Sequence, residues 1–465
     1  MRIRFAPPLL LVLLTGCTVG PDYQRPQAAM SADWLEAAAP GDVDPQWWER
    51  FGDPVLTGLV ARAFRNSPNL AEATARLAEA RAMREAAQGG RLPQGSANAS
   101  ATENRLSENG QIPVARIPGF EPQFPLFDVG FDASWEIDLW GRTSREIEGA
   151  AAREQAAMWA ARDAQVVLAA EVARSYLDYR AAQARLRVAE EQARAAAQIA
   201  QLTALLASAG ETNRMEADRA ASSAEAARAA VKNAEADVAG SEYRLAVLTG
   251  ATPEALVPEL RASAGGIPQA PPVIASGVRS ELLERRPDIR RAERELAAAT
   301  AAVGVATADL YPSFSLLGSV GQQAQSLDDL PDGASTRYSV GPSFRWPIFS
   351  LGTIRAQVRA ADARADAAAA RYEAAVIGAL SDSESAANRF AAASAAAEAA
   401  RNALQRRQDA FALAQLRADR GEDSRLELEQ ARLALMDAQA QDVQARAAHS
   451  AAAIALYKAL GGGWQ

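Results

Sequence analysis

The stretch Phe127–Gly141, which reads FDVGFDASWEIDLWG, decides between the folds that are open to this chain. Its odd positions up to Ile137 are apolar, whereas its even positions carry mainly acids, glycine and serine. Because successive side chains of a β-strand point to opposite faces, the pattern predicts a strand with one apolar and one acidic face. The apolar face requires a protein core or lipid, and the acidic face requires water. The acids are Asp128, Asp132, Glu136 and Asp138.

The rest of the chain is rich in alanine and acidic overall. Its 465 residues have a formal net charge of −8, and only 6% of them are aromatic. An acidic surface disfavours nucleic acid, since phosphate binding requires a basic one. The alanine-rich composition favours long, closely packed helices over a globular interior. His449 is the single histidine, and no cluster has metal-ligand or catalytic-triad spacing, so neither a metal, a cofactor nor an enzymatic activity is predicted.

The N-terminus predicts export and lipid attachment. Arg2 and Arg4 precede the apolar run Phe5–Leu14, and Thr15-Gly16-Cys17 follows. This order predicts a signal peptide over residues 1–16 and acylation of Cys17, the only cysteine of the chain. Several acyl chains together anchor a protein firmly where one chain would not. The alternative is a plain signal peptide followed by an incidental cysteine.

The chain contains an internal repeat. Pro68 and Pro287, each inside a similar pentapeptide, are 219 residues apart, whereas Gly210 and Gly421 are 211 residues apart. The first copy therefore carries an insertion, which is typical of a surface loop. The predicted segments are a signal peptide at 1–16, a lipidated N-terminal segment at 17–54, a first repeat at 55–250, a linker at 251–275, a second repeat at 276–461 and a tail at 462–465.

The sequence pattern of each copy predicts the same order of elements: a helix, a strand, a loop, a strand, a long helix, a turn and another helix. The first copy gives a helix at 55–90, strands at 94–104 and 127–141, and helices at 142–209 and 212–249. The second gives strands at 314–320 and 338–349, and helices at 353–419 and 422–460. A helix over 142–209 would be about 100 Å long, far longer than a globular domain needs. Gly210 and Gly421 then fold each long helix into a hairpin.

Two other features are given structural roles. Trp47 and Trp48 are expected to pack against the helices and not to stack on a ligand. The basic stretch Arg285–Asp288 is expected to begin a helix, because Pro287 suits the first turn and Asp288 suits the positive end of the helix dipole.

The strands predict assembly. Each has roughly 9–11 residues, which suits a tilted membrane-spanning strand. The charge-free helical run Leu296–Ala308 is shorter than the roughly 18–20 residues that a spanning helix requires. Four strands cannot close a barrel, and an open edge in lipid leaves backbone groups unsatisfied, so several chains must share one barrel. Two, three or four chains are all compatible with this count. The alternative is a coiled-coil structural lipoprotein without a channel.

Four motifs identify a family. They are CTVGPDYQRP at 17–26, WERFGDP at 48–54, RRPDIR at 285–290 and YKALGGGW at 457–464. With them the chain resembles the TolC-like outer membrane factors over essentially its whole mature length, and most closely the lipoprotein branch of tripartite drug pumps. The resemblance implies a mainly α fold with a small β part: four strands per chain in a trimeric 12-stranded transmembrane barrel above a long periplasmic α-helical barrel. It also implies a lipid-anchored location in the cell outer membrane, extending into the periplasm.

The resemblance further implies a passive exit duct for small molecules such as drugs and toxic compounds. The implied partners are two further copies of the chain, a periplasmic adaptor (membrane fusion protein), an inner-membrane pump of the resistance-nodulation-division class and outer-membrane lipid, with no nucleic acid. A duct for type I secretion of proteins or peptides is the alternative. The lipidation motif and the terminal Gly-Gly-Gly-Trp favour the drug-pump branch.

The hairpin turns correspond to the family's periplasmic tips, where the adaptor docks and the tunnel narrows. The implied docking residues are Gly210, Glu211, Gly421 and Glu422. At the gate the family's leucine is present as Leu426, but its usual aspartate position is Gln430 and its aromatic position is Ala418. The gate charge is therefore expected from Asp423, Glu427 or Glu429, which would attract cations and raise one another's pKa across a threefold ring. The alternative is that these acids merely solvate a helix face.

The opening stretch can now be assigned its surroundings. Its apolar face is expected to meet lipid, with Phe127 and Trp140 near the two interfaces, and its acids are expected to face water inside the barrel. The repeat-related stretch Tyr338–Phe349 keeps the apolar parity but has no acids on its polar face. The acidic lining is therefore expected from the first copy alone.

Overall fold

The computed structural model describes residues 18–26, 34–35, 41–107, 119 and 121–464. Cys17 and the signal peptide lie outside the described residues, as does part of the loop between the first two strands. The chain divides into two compact units. Unit 1 comprises Met1–Pro26, Ala78–Ala156 and Ala292–Tyr372, and unit 2 comprises Gln27–Leu77, Ala157–Arg291 and Glu373–Gln465.

Unit 1 contains a four-stranded antiparallel sheet in the order β1-β2-β3-β4. The strands are β1 (Gln94–Arg105), β2 (Gln123–Ile137), β3 (Ser313–Ala324) and β4 (Thr336–Arg345). All four predicted strands are confirmed, but two of their predicted ends are wrong: β2 ends at Ile137 and not at Gly141, and β4 does not continue to Phe349. β4 ends at Arg345, and Trp346 and Ile348 lie beyond it, around Pro347. Proline has no N–H to donate to a strand ladder, which explains the end of the strand there.

The long helices follow the predicted hairpins. The helices are α1 (Pro54–Asn66), α2 (Pro68–Gly89), α3 (Arg142–Ser208), α4 (Arg214–Leu248), α5 (Pro253–Ala262), α6 (Leu282–Arg285), α7 (Pro287–Ala308), α8 (Leu351–Asp419) and α9 (Arg425–Ala459). The single helix predicted over 55–90 is wrong: it is divided at Ser67, because Pro68 disfavours helical backbone in the residue before it. The predicted linker 251–275 also contains α5. In the described part of the chain, no helix combines the length and the apolarity that crossing a membrane requires.

The core of unit 2 forms around one face of α3. Leu168, Val172 and Tyr176 of this face are buried among side chains from the N-terminal segment, α5 and α9. Trp47 is completely buried there and stacks on Tyr457, with 5.2 Å between ring centroids. The prediction that the tryptophan pair serves packing is confirmed, and the core fixes α3 against the end of α9.

Two arginines, the buried Arg180 and the partly buried Arg286, tie irregular segments to this core. The Arg180 guanidinium donates to the Tyr176 hydroxyl at 2.8 Å and to the carbonyl oxygen of Ser263 at 3.1 Å. Arg286 donates to the carbonyl oxygen of Ala459 at 2.9 Å and pairs with Asp288 at 2.7 Å. α7 begins at Pro287, so the predicted helix start is confirmed and the basic stretch before it serves structure.

Candidate functional site

The polar face of the sheet carries a fixed charge pair. The Asp128 carboxylate on β2 accepts two hydrogen bonds from Arg337 on β4, at 2.6 and 2.8 Å, and one from Gln323 on β3 at 2.8 Å. The pair crosses a close approach of two directly paired glycines, Gly130 and Gly321. A Cβ on Gly130 would lie 2.9 Å from a backbone oxygen and 3.5 Å from the Arg337 guanidinium. The glycines therefore leave the space in which the Arg337 side chain reaches from β4 across β3 to Asp128 on β2.

The other acids of the opening stretch differ in role. Asp132 accepts a hydrogen bond from Asn98 on β1 at 3.1 Å and stays on the polar face. Asp138 lies past the end of β2 and accepts the amides of Thr143 and Ser144 at 3.0 and 2.8 Å. It therefore caps the N-terminus of α3, where the helix dipole favours an anion. The prediction that Asp138 lines the barrel is wrong.

The apolar face of the sheet is exposed. Phe131 is 65% exposed, Val340 is 72% exposed and Tyr338 is 80% exposed. Others on this face are Val129, Trp135, Leu316, Val320 and Phe344. Just beyond the end of β2, Trp140 stacks on Tyr311 with 4.7 Å between ring centroids and donates its indole N–H to the carbonyl oxygen of Pro312 at 2.8 Å. An exposed apolar band beside anchored aromatic rings is typical of a lipid-facing sheet.

The two hairpin turns have the same local geometry. Gly210 and Gly421 both have positive φ, 74° and 75°, and each follows the end of a long helix. The amides of Glu211 and Glu422 return to helix carbonyl oxygens five residues earlier, at 2.9 Å in both turns. A Cβ on either glycine would meet nothing within 4 Å, so backbone conformation and not space requires glycine there. Each of the two turns thus carries two of the four predicted docking residues, in the same local geometry.

In the second turn the predicted gate acids have local partners. Asp423 pairs with Arg417 of α8 at 2.7 Å. Glu427 forms a capping box: its carboxylate accepts the Ser424 amide at 2.7 Å, and its own amide donates to the Ser424 hydroxyl at 3.2 Å. Because the backbone amide and the hydroxyl of Ser424 hydrogen-bond the ionised form, the pKa of Glu427 is held below its usual value. Both acids therefore shape the turn.

Leu426 directly precedes Glu427 in the sequence, and Glu429 follows Glu427 by two residues. Glu429 is buried against α3, where the Gln198 side-chain amide, with its nitrogen turned toward the carboxylate, donates at 2.9 and 3.0 Å. Leu426 is partly buried in the first turn of α9. The turn thus groups Leu426, Asp423 and Glu427, whereas Glu429 belongs to the contact between α9 and α3. Among the residues that the structure describes, no group of His, Cys, Asp or Glu has the geometry of a metal site.

Comparison with known proteins identifies the class. The model of the outer membrane efflux protein family matches residues 59–251 and 278–462. The toluene efflux pump outer membrane protein TtgF of Pseudomonas putida is 30% identical over 481 aligned residues, covering 100% of this chain and 98% of that protein. The pyoverdine export outer membrane protein OpmQ of Pseudomonas aeruginosa is 30% identical over 459 residues, covering 98% of this chain and 95% of the relative.

Solved structures agree with these relatives. The outer-membrane channel OprN is 34% identical, covers 96% of this chain and 100% of its own, and superposes with a TM-score of 0.85. The MtrE outer membrane channel of Neisseria gonorrhoeae, solved in an open state, is 26% identical, covers 97% of this chain and 99% of its own, and gives a TM-score of 0.83. The chain therefore belongs to the outer membrane efflux protein family, and it is an outer-membrane component of an efflux system. The predicted fold class and location in the outer membrane are confirmed.

Sequence reasoning missed two partners of these sites. Arg337 falls just before the strand predicted from Tyr338, although it shares the parity of Ser339 and so lies on the polar face. Arg417 follows no motif, and only the turn geometry brings it to Asp423. Extending the alternation of β4 by one residue would have revealed Arg337, whereas no local signal indicates Arg417.

Proposed function

We propose that three copies of this chain, anchored by lipid on Cys17, form a passive exit duct that conducts small molecules across the outer membrane. A periplasmic adaptor and an inner-membrane pump supply the molecules and the energy. The duct performs no chemistry. The substrates are small organic compounds, as the names of the toluene and pyoverdine relatives suggest for those proteins.

The observation that carries this proposal is the sheet. It has four strands in sequential order, an exposed apolar face and a polar face that carries the Asp128–Arg337 pair. Within the part of the chain that the structure describes, β1 and β4 each have one neighbouring strand, so each leaves an edge unpaired. Unpaired strand edges are costly in lipid, which favours closure with β1 and β4 of other copies. Resemblance to the TolC-like ducts selects three copies, and therefore twelve strands, from the closures that strand counting allows.

The turns then act as the periplasmic end. Gly210, Glu211, Gly421 and Glu422 present the two adaptor-docking turns, and Leu426 with Asp423, Glu427 and Glu429 forms the gate region. The Arg417–Asp423 pair and the Ser424–Glu427 capping box hold the second turn in one conformation. Opening the duct therefore requires the hairpin ends to shift as rigid turns and not to unfold.

The test uses the acylated full-length protein in detergent and in planar bilayers. The proposal expects a complex of three chains by light scattering and discrete single-channel currents after reconstitution. A monomer that conducts no current, even after Glu427→Gln and Glu429→Gln, would contradict the duct. For the gate, Glu427→Gln, which removes an exposed charge, is expected to lower cation selectivity, measured as a reversal potential in a salt gradient. Glu225→Gln, which removes an exposed acid paired within α4, is the matched control.

A further inference from the structure

The helices of unit 2 present a second face, opposite to the core. On α3, Val172 is buried in the core, whereas Asp163 lies nine residues earlier, which is half a turn away around the helix. Val167 stands in the same relation to Tyr176. This second face borders a cavity of about 690 Å³, a size in the range of small-molecule sites.

Four helices line this cavity. α3 contributes Asp163, Val166 and Val167, and α8 contributes Asp382, Ser385 and Arg389. The start of α7 contributes Asp288 and Arg291, with Arg286 just before it, and α9 contributes Ala455 and Lys458. Its walls therefore combine apolar side chains with charges of both signs. A ligand with an apolar body and a charged group therefore finds a matching surface for each part in this cavity.

Half of the cations in the cavity already have carboxylate partners. Arg286 pairs with Asp288 at 2.7 Å, and Arg291 lies 3.6 Å from Asp163. Lys458 and Arg389 have no carboxylate within 4.0 Å among the described residues, although both side chains line the cavity. Asp382, the third carboxylate of the lining, lies 3.7 Å from Arg286, so the lining has four cations against three carboxylates, and Lys458 and Arg389 are its two cations outside an ion pair.

A second cavity continues past Lys458. It has a volume of about 500 Å³ and lies between α3, α4 and α9, with Lys458 and Ala455 lining both cavities. It adds Arg244 of α4, which likewise has no carboxylate partner in the part of the chain that the structure describes. Glu171 and Asp382, which line the second and first cavities, are related by the 211-residue repeat. The two cavities thus share Lys458 and contain one pair of repeat-related acids.

We infer that Lys458 and Arg389 form a luminal recess that transiently binds small organic anions, with a carboxylate or sulfonate at the two cations and an apolar body against Val166 and Val167. This inference rests on the proposed function, because the second face becomes the wall of a lumen only when copies assemble. Exposed cations bind an anion weakly, which suits a duct that must release its cargo. An assembled duct has one such recess in each chain.

The experiment measures block of single-channel current in the acylated full-length protein. The probe is 1-naphthalenesulfonate, added on the side to which the barrel opens, and uncharged 1-naphthol is the matched compound. The sulfonate is expected to block the wild type more strongly than the naphthol does. In Lys458→Gln/Arg389→Gln the half-blocking concentration is expected to rise about tenfold, since two exposed charge contacts are lost. Lys458→Arg keeps the charge and is expected to retain block.

Arg407→Gln is the control for a general loss of luminal charge. Arg407 lies 18 residues after Arg389 on α8, which is five full turns, so it shares the helix face but not the recess. Its half-blocking concentration is expected to remain that of the wild type. Equal block of the wild type and the double variant, or equal block by naphthol, would overturn the inference while leaving the duct intact.

The same probe separates this inference from the proposed function. If no variant conducts, the duct proposal fails, and equilibrium dialysis of the detergent-solubilised protein decides the recess. Binding of the sulfonate that weakens in the double variant and persists in Arg407→Gln supports the recess. Binding that is absent from the wild type, or the same in both variants, overturns it.

Discussion

The sheet of unit 1 and the core of unit 2 use the same kinds of side chain in opposite ways. Trp47 and Tyr176 are completely buried in the core, whereas Tyr338 on the sheet is 80% exposed. Each large apolar side chain of the core is therefore stabilised by its own chain, because burial removes its surface from water. The sheet exposes its large apolar side chains to solvent and leaves the edges of β1 and β4 unpaired. It therefore needs lipid to cover these side chains and other copies to pair with the two edges. The comparison therefore assigns both the contact with lipid and the contact between copies to the sheet.

The largest effect is expected in the core. Trp47→Ala removes a buried ring that stacks on Tyr457, and it is expected to lower the free energy of unfolding in detergent by about 3–5 kcal/mol. Tyr338→Ala is the matched change on the sheet, where an exposed ring is lost, and its effect is expected to stay within about 0.5 kcal/mol. Urea unfolding followed by circular dichroism gives both values. Equal losses would mean that the sheet face is buried in the isolated chain.

In lipid, a substitution on the exposed apolar face of the sheet is expected to become costly if it introduces a charge. Phe131→Arg places a cation on the apolar face and is expected to cost about 2–4 kcal/mol on folding into vesicles if the residue lies near the bilayer centre. Ser339→Arg places the same charge on the polar face of β4 and should cost far less. The measurement is the urea dependence of folding into lipid vesicles. A greater cost for the serine variant would exchange the two faces.

Close packing within the sheet predicts a smaller effect. A Cβ at Gly321 would lie 2.6 Å from the carbonyl oxygen of Val129, so Gly321→Ala is expected to destabilise the folded protein by about 1–3 kcal/mol. Gly341→Ala on β4 is the control, because a Cβ there meets nothing within 4 Å. Unfolding in urea compares the two variants. If they are equally stable, the close approach that places Arg337 over Asp128 is absent.

The smallest effect is expected at the second hairpin turn. Ser424→Ala removes the cap of α9 and is expected to cost about 1 kcal/mol locally, seen as faster amide exchange in the first turn of the helix. Because the pKa of Glu427 is lowered in the folded protein, its contribution is present above the unfolded pKa and is lost as the pH falls through the folded one. Glu427→Ala should remove this pH dependence of exchange. Glu225→Ala, on α4, should leave it unchanged.

The sequence predicted the elements whose side chains repeat with a regular period. Alternation located the strands, and the repeat located the hairpin glycines, because both depend on the backbone alone. The division at Ser67 between α1 and α2 was not predicted, because the helical pattern on both sides masked the local rule that the residue before a proline avoids helical backbone.

The candidate site was less predictable than the fold. Asp138 continues the parity of the opening stretch, but its carboxylate turns to the amides at the start of α3. Asp128 is neutralised by Arg337, which comes from the second copy, so the polar face carries both charges where alternation within one strand indicated acids alone. Such contacts depend on which segments meet in space, and a single sequence does not contain that information.

The central claim is that copies of this chain enclose a lumen whose wall includes Lys458. Cys17 is the only cysteine and is expected to be acylated, so Lys458→Cys offers one reactive thiol per chain. The direct test adds a water-soluble methanethiosulfonate reagent to a single reconstituted channel of this variant. The account predicts three discrete, irreversible decreases of current, one for each copy, and none in the wild type. An unchanged current, with the thiol fully labelled by mass spectrometry, would show that this face lies outside the conducting path and would contradict the account.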